Sequence, residues 1–184
     1  MSTRVTEKYQ KEIKPKLKEE FGFVNDLEVP RMEKIVINVG AGDAKDNAAA
    51  LDKIQENLSA LSGQKPQVTR AKKSISGFKL AQGQAVGVMV TLRGDRMYEF
   101  FDKLVTIVLP KVRDFRGVPT TSFDNQGNFN LGLKEQTLFP EVSYVGQNTD
   151  GKTRGMEITI VTTARDKQQG RKLLELLGMP FKKN

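Results

Sequence analysis

Apolar residues recur every four positions at the start of the chain, at Val5, Tyr9, Ile13, Leu17 and Phe21, and charged residues crowd the positions between them. That spacing predicts an amphipathic helix with one buried stripe, bent at Pro15. Ile35, Ile37 and Val39 then alternate with Val36 and Asn38, the period of a strand that runs from Lys34 to Gly40. Leu51, Ile54, Leu58 and Leu61 return to helical spacing and predict a second helix from about Asn47 to Ser62, with Gly63 at its C-cap.

Gln67 to Ala71 reads as a short strand, and Val86, Val88, Val90 and Leu92, alternating with Gly87, Met89, Thr91 and Arg93, read as another. Asp95 is placed to cap a helix whose stripe is Met97, Phe100, Phe101, Leu104, Val105 and Val108, and Pro110 is expected to stop it. From Arg113 to Gly132 the residues are Gly, Asn, Pro, Ser and Thr with three phenylalanines, which predicts a long, partly ordered contact loop leading into a strand near Phe129 to Lys134. Met156 to Thr163 alternates as a last strand. Asp166 opens a final helix that buries Leu173, Leu174 and Leu177 before Gly178 and Pro180.

The sum is an α+β fold, a mostly antiparallel sheet with helices packed on one face and the other face left free. If the aliphatic sides face the helices, the free face shows Asn38, Thr91, Arg93, Thr159 and Thr163. Such hydroxyls and amides can hydrogen-bond phosphates and 2′-hydroxyls, although an ordinary solvated sheet face looks the same. No Pro, Gly or Ser linker divides the 184 residues, so a single domain over 1–184 is expected, with a basic region at about 57–94 and the contact loop at about 113–132.

Charge sharpens the picture. The chain carries 30 Lys and Arg against 22 Asp and Glu, a net charge of +8. Basicity alone decides little, but its placement does. From Asn57 to Gly94 there is no acid at all, while Lys65, Arg70, Lys72, Lys73, Lys79 and Arg93 stand among glycines and small polar residues. Mixed-sign surfaces avoid such one-sign fields, and the repulsion is relieved when a polyanion binds. Phe78 lies inside this stretch between Gly77 and Lys79. A phenylalanine there commonly anchors its loop in the core; the alternative is stacking on an exposed base.

The absence of Cys and His excludes disulfides, thiol nucleophiles, imidazole bases and the usual zinc sites, and no carboxylate pair is singled out by spacing. No cofactor or metal is expected. The longest apolar runs, Val86 to Val90 and Leu104 to Leu109, are too short to span a bilayer, and the N-terminus has Lys and Glu where a signal peptide needs an apolar segment, so a cytoplasmic protein without membrane partner is expected.

Four motif matches carry little weight. Gly40 and Gly42 follow a strand as in a dinucleotide-binding turn, but the third glycine is missing and Asp43 and Lys45 follow. Arg93-Gly94-Asp95 reads as a strand-to-helix turn rather than an adhesion tripeptide. Asn57-Leu58-Ser59 is a glycosylation sequon inside a predicted helix, and Asp124 to Gly127 lacks the later ligands of a calcium loop.

Longer blocks are more specific. Gly63-Gln64-Lys65-Pro66, Val68-Thr69-Arg70-Ala71-Lys72-Lys73-Ser74-Ile75-Ser76-Gly77-Phe78-Lys79, Val90-Thr91-Leu92-Arg93-Gly94, Met97-Tyr98-Glu99-Phe100-Phe101, Ser122-Phe123-Asp124, Gly127-Asn128-Phe129, Phe139-Pro140-Glu141 and Gly178-Met179-Pro180-Phe181 occur in this order. Together they resemble the bacterial large-subunit ribosomal protein five family, over nearly the whole chain.

That resemblance implies a non-enzymatic constituent of the large ribosomal subunit. It implies binding to 5S ribosomal RNA in the central protuberance beside 23S RNA and neighbouring ribosomal proteins, contact with peptidyl-site transfer RNA, and a bridge to small-subunit ribosomal protein thirteen. Carried over by motif, the ribosomal-RNA residues are Asn38, Gly40, Gln64, Lys65, Thr69, Arg70, Lys72, Ser74, Thr91 and Arg93. Lys73, Ser76, Gly77, Phe78 and Lys79 are the transfer-RNA candidates, and the loops 113–117 and 144–155 are loosely assigned to the bridge. Two other classes compete: a nucleotide-dependent enzyme using the Gly40 turn, which nucleotide-induced thermal stabilisation would reveal, and a basic protein-interaction module, which salt-insensitive capture without RNA would reveal.

Overall fold

A computed structural model of the chain describes residues 4–42, 47–145 and 154–182. Asp43 and Lys45 of the glycine turn, and residues 146–153 of the second bridge loop, lie outside the described residues. The order of elements is a helix over residues 4–21 (α1), strand Met32–Gly40 (β1), helix Ala48–Ser62 (α2), strands Gln67–Arg70 (β2) and Ala85–Leu92 (β3), a helix over 94–111 (α3), strand Phe129–Leu133 (β4), the short helix Pro140–Val145 (α4), strand Met156–Thr162 (β5) and helix Lys167–Leu177 (α5). The strands form one sheet in the order β2-β3-β1-β5-β4, so the architecture is the α+β fold that the alternating patterns predict.

By contacts the chain gathers into two compact units, neither of them a contiguous stretch. One comprises residues 1–35, 92–131 and 159–184; the other comprises 36–91 and 132–158. The boundary falls inside β1, β3, β4 and β5, which explains why no linker marks it in the sequence.

In the first unit, α1 buries Val5, Tyr9, Ile13 and Leu17, α3 buries Met97, Phe100, Phe101, Leu104, Val108 and Leu109, and α5 buries Leu173, Leu174 and Leu177. Each full burial of a Leu, Ile or Phe contributes about 1.5–3 kcal/mol. The hydroxyl of Tyr9 donates to the Pro30 carbonyl at 2.9 Å, and burial pushes its phenol up to about 12.

Pro15 and Pro110 each follow a π-helical turn. In α1 the α-helical segments Arg4–Lys8 and Lys14–Phe21 flank a π-helical turn, Tyr9–Ile13, and Pro15 follows it at the start of the second segment. In α3 a π-helical turn, Leu104–Val108, separates Gly94–Lys103 from Leu109–Lys111, and Pro110 again follows at the same spacing. A proline cannot donate to the carbonyl four residues back and its ring presses on it; one wider turn upstream re-registers the backbone and lets the helix pass. The helix α3 passes Pro110 by a single residue and ends at Lys111, close to the expected stop. Asp95 does not cap α3: Arg93 is the N-cap without a side-chain bond, and Asp95 stands in the first turn, where its charge favours the helix dipole.

The stretch 113–132 is anchored rather than loose. Val118 and Phe181 form a bridge, with the Val118 amide donating to Pro180 at 2.8 Å and the Lys182 amide to Val118 at 3.0 Å. Phe123 packs its ring 4.8 Å from Phe129 and 5.6 Å from Phe181. Two of the three phenylalanines in this expected contact loop, Phe123 and Phe129, are thus core residues.

In the second unit, α2 has the expected Gly63 at its C-cap and a side-chain cap at its start. The Asn47 side chain accepts from the Ala50 amide, and Gly63 takes a left-handed conformation at φ 64°. Its Leu51, Ile54, Leu58 and Leu61 are buried, as are Ile37, Val39, Val88, Val90, Phe139 and Ile158 of the same unit. Among the described residues no helix is long and apolar enough to cross a membrane.

Candidate nucleic-acid interface

Residues 57–91 of the acid-free stretch fold into the second unit as the end of α2, the hairpin of β2 and β3, and the connection between these strands, and 92–94 belong to the first. Ser62 shapes the entry: its hydroxyl donates to Leu58 O at 2.6 Å and accepts from the Gln64 amide at 3.4 Å, turning the chain after Gly63 toward β2. The Gln64 side-chain amide then donates to the Thr91 carbonyl at 3.2 Å. Two predicted residues, Gln64 and Thr91, are thereby joined.

β2 pairs antiparallel with β3, Gln67 opposite Met89, Val68 opposite Val88 and Thr69 opposite Gly87, and the next partner of Arg70 is Ala85. Val86 is the extra residue of a β-bulge. Its carbonyl accepts from the Ala41 amide at 3.0 Å, just past the end of β1, and Ala85 rather than Val86 takes the buried position. Gly87 is required by packing here, since a Cβ would lie 2.7 Å from Val39 O and 3.1 Å from Thr69 Oγ1. Thr69 is therefore seated over the point where β1 and β3 approach closely.

Beyond Arg70 the hairpin projects as a continuous exposed segment, and every residue from Lys72 to Lys79 is exposed. It is nevertheless folded on itself. Ile75 and Leu80 exchange backbone bonds of 2.9 and 3.1 Å, and Ser76–Phe78 forms a single 3₁₀ turn closed by the Lys79 amide on Ser76 O at 2.9 Å. Lys79 sits in the left-handed region at φ 49°, a conformation unusual for a residue with a side chain and one that marks a constrained tip.

Phe78 is 76% exposed and Ile75 is 46% exposed, so Phe78 does not anchor the loop in the core. The tip presents an aromatic and an aliphatic side chain outward, with Lys72, Lys73 and Lys79 on the same exposed segment. The sequence assigns Ile75 no role; its pairing with Leu80, which sets the outward direction, is a property of the closed hairpin.

The remaining candidates are placed as follows. Asn38 is half-buried on β1 with its parity opposite to Ile37 and Val39, and Gly40 is exposed at the end of that strand. Arg70 is exposed, its guanidinium Nη1 donating to Gly83 O at 3.0 Å across the hairpin. Lys65 is exposed and borders a cavity of about 490 Å³ shared with Asp52 and Glu56 of α2, so the cationic surface meets acid at this edge. Arg93 belongs to the first unit, where its guanidinium stands 3.5 Å from Glu33 with both side chains about half exposed, a pair worth about 0.2–1 kcal/mol. In the first bridge loop Asp114 is left-handed at φ 53° and exposed, and Arg116 is exposed as well.

The chemistry of this surface is cationic and hydrogen-bonding. Its side chains are lysines, arginines, hydroxyls, amides and two apolar groups, and among the described residues no cluster of carboxylates suited to a metal ion occurs. What it offers is counter-charge for phosphates, donors for sugar and phosphate oxygens, and an exposed ring for a base.

Comparison with known proteins agrees. A family model described as ribosomal protein L5 matches residues 25–80, and a second model, for the C-terminus of the same ribosomal family, matches residues 85–181. The large ribosomal subunit protein uL5 of Anaeromyxobacter sp. (strain Fw109-5) is 55% identical over 182 residues, 99% of both chains. That of Streptococcus thermophilus is 55% identical over 183 residues, the full length of both, and that of Thermoanaerobacter sp. is 54% identical over 181 residues, 98% of this chain and 99% of the relative. With both halves matched by the family's models and full-length identity above half, the chain belongs to the ribosomal protein L5 family, structural proteins of the ribosome rather than enzymes.

Proposed function

We propose that the protein binds 5S ribosomal RNA in the central protuberance of the large subunit through the β2–β3 hairpin and its base, and touches peptidyl-site transfer RNA with the hairpin tip. As a ribosome-bound protein of the bacterial cytoplasm it works among ribosomal RNA and other ribosomal proteins. The observation that carries the finer reading is the exposed, acid-free hairpin, with Arg70, Lys72, Lys73 and Lys79 around outward-facing Ile75 and Phe78. Asn38, Gly40, Gln64, Lys65, Thr69, Ser74, Thr91 and Arg93 complete the ribosomal-RNA surface, and Lys73, Ser76, Gly77, Phe78 and Lys79 form the transfer-RNA contact. The loop 113–117 is the candidate for the bridge to small-subunit ribosomal protein thirteen.

Recognition of this kind reads shape and backbone. A-form RNA hides its base edges in a deep, narrow groove, so specificity resides in the RNA fold and in the few bases an exposed ring can reach. The tip and the base of the hairpin are separable in experiment. Phe78→Ala is expected to leave Tm nearly unchanged, because the ring is 76% exposed and surface substitutions stay within about 0.5 kcal/mol. Binding to transfer RNA should weaken by about 1–3 kcal/mol, roughly 5- to 150-fold, while affinity for 5S RNA stays within about threefold. A fall in Tm with transfer-RNA binding intact would return Phe78 to a packing role.

A further inference from the structure

We propose that Ser74 and Gln84 are positioning residues that brace the hairpin in its RNA-ready form before RNA arrives. The backbone ladder leaves β2 and β3 with the Ala71 amide on Gln84 O at 2.9 Å and the Gly83 amide on Ala71 O at 2.9 Å, and it resumes only at Ile75 and Leu80. Two side-chain oxygens act in the interval, that of Ser74 across the hairpin and that of Gln84 within its returning arm. Ser74 Oγ accepts from the Gln82 amide at 3.0 Å, and Gln84 Oε1 accepts from the Ala81 amide at 3.1 Å while the Gln84 amide donates to Ala81 O at 3.2 Å.

The physical stake is entropy. Every residue from Lys72 to Lys79 is exposed, so no buried apolar area holds the tip in place. Ordering a loop residue costs backbone entropy, and a loop that is ordered only on binding subtracts that cost from affinity. Ser74 thereby acquires a role that its sequence assignment as an RNA contact does not contain, and Gln84, outside the assigned set, joins the site without touching RNA. The role in binding rests on the RNA reading above; the brace itself does not.

The test has an RNA-free arm and an RNA arm, both on the full chain. Amide hydrogen exchange of the free wild-type protein should show the Gln82 and Ala81 amides protected relative to an unstructured chain. Ser74→Ala should abolish protection at Gln82, Gln84→Ala should abolish it at Ala81, and Ser74→Thr and Gln84→Glu, which keep the acceptor oxygen, should retain it. In the RNA arm, Gln84→Ala should bind folded 5S RNA about three- to tenfold more weakly, the range given by losing one ordinary hydrogen bond, with an unchanged salt slope because no phosphate contact is removed.

Unprotected amides in the wild-type protein overturn the brace. Lost protection with unchanged affinity overturns its positioning role, and a flattened salt slope for Gln84→Ala turns Gln84 into a direct electrostatic participant instead. If the wild-type protein shows no preference for 5S RNA over a scrambled hairpin, the RNA reading falls and the positioning role with it, while the exchange data still decide whether the hairpin is braced.

Discussion

Alanine at Lys65, Arg70 and Lys72 together is expected to weaken binding to folded 5S RNA by about two orders of magnitude at about 0.15 M salt and to flatten the log-log salt dependence by about two to three units. The slope follows from counterion release, at roughly 0.7–0.9 per phosphate neutralised, and the affinity from about 1 kcal/mol for each solvent-screened charge contact. The three side chains are exposed, so folding should be little affected. Arg70 is the exception worth controlling, since its loss also removes the bond to Gly83 O; that bond is one of several across the hairpin and is worth about 1 kcal/mol. Titration of fluorescent RNA over a series of salt concentrations checks both numbers. A weaker complex with an unaltered slope would mean that the variant damaged the hairpin and that these cations do not neutralise phosphates.

The second large effect lies far from the hairpin in sequence. Gly170→Ala should cost about 3 kcal/mol or more and lower Tm by roughly 6–12 °C, without changing the salt slope of whatever RNA binding remains. A Cβ on Gly170 in α5 would stand 2.7 Å from Gly127 Cα and closer still to Gly127 O. Gly127 cannot retreat. Its carbonyl accepts from Thr162 Oγ1 at 3.0 Å, and the Asp124 carboxylate holds the turn by accepting from the Gln126 amide at 2.9 Å and the Asn128 amide at 2.8 Å. Thermal unfolding by circular dichroism reads the result, and a shift below about 2 °C would show that this turn yields more easily than its hydrogen bonds imply.

Much of the fold is legible in the sequence because the signals are local. Asn47 and Gly63 bracket α2, and Asp166 and Gly178 bracket α5, since a cap needs only its own turn and a side chain of the right type. The alternation of Ile35, Ile37 and Val39 likewise needs only the pleat. What stays hidden depends on distant partners. The Val86 bulge exists because β3 must satisfy β2 and β1 at once, and periodicity taken alone assigns Val86 to the wrong side. The π turns ahead of Pro15 and Pro110 are set by helices that stay packed across a residue that would otherwise break them.

At the candidate site the same division holds. The absence of acid from 57–94 and the placement of its cations are readable directly, as is the family resemblance that gives each a role. The outward ring of Phe78 is not, because a phenylalanine between glycine and lysine fits either direction until the Ile75 and Leu80 pairing fixes the turn. Nor is the brace of Ser74 and Gln84, whose two oxygens find their amides only through the geometry of a closed hairpin.

The central claim, that this hairpin recognises folded 5S RNA rather than polyanions at large, is tested most directly by a salt titration of the purified protein against folded 5S RNA, with a transfer RNA and a scrambled hairpin of equal length as competitors. The predicted result is tight binding to 5S RNA that survives both competitors and falls steeply with salt, by several log units of affinity per log unit of salt for about five or six neutralised phosphates. Equal binding to all three RNAs would contradict it, leaving a general polyanion binder and removing the support for the residue assignments.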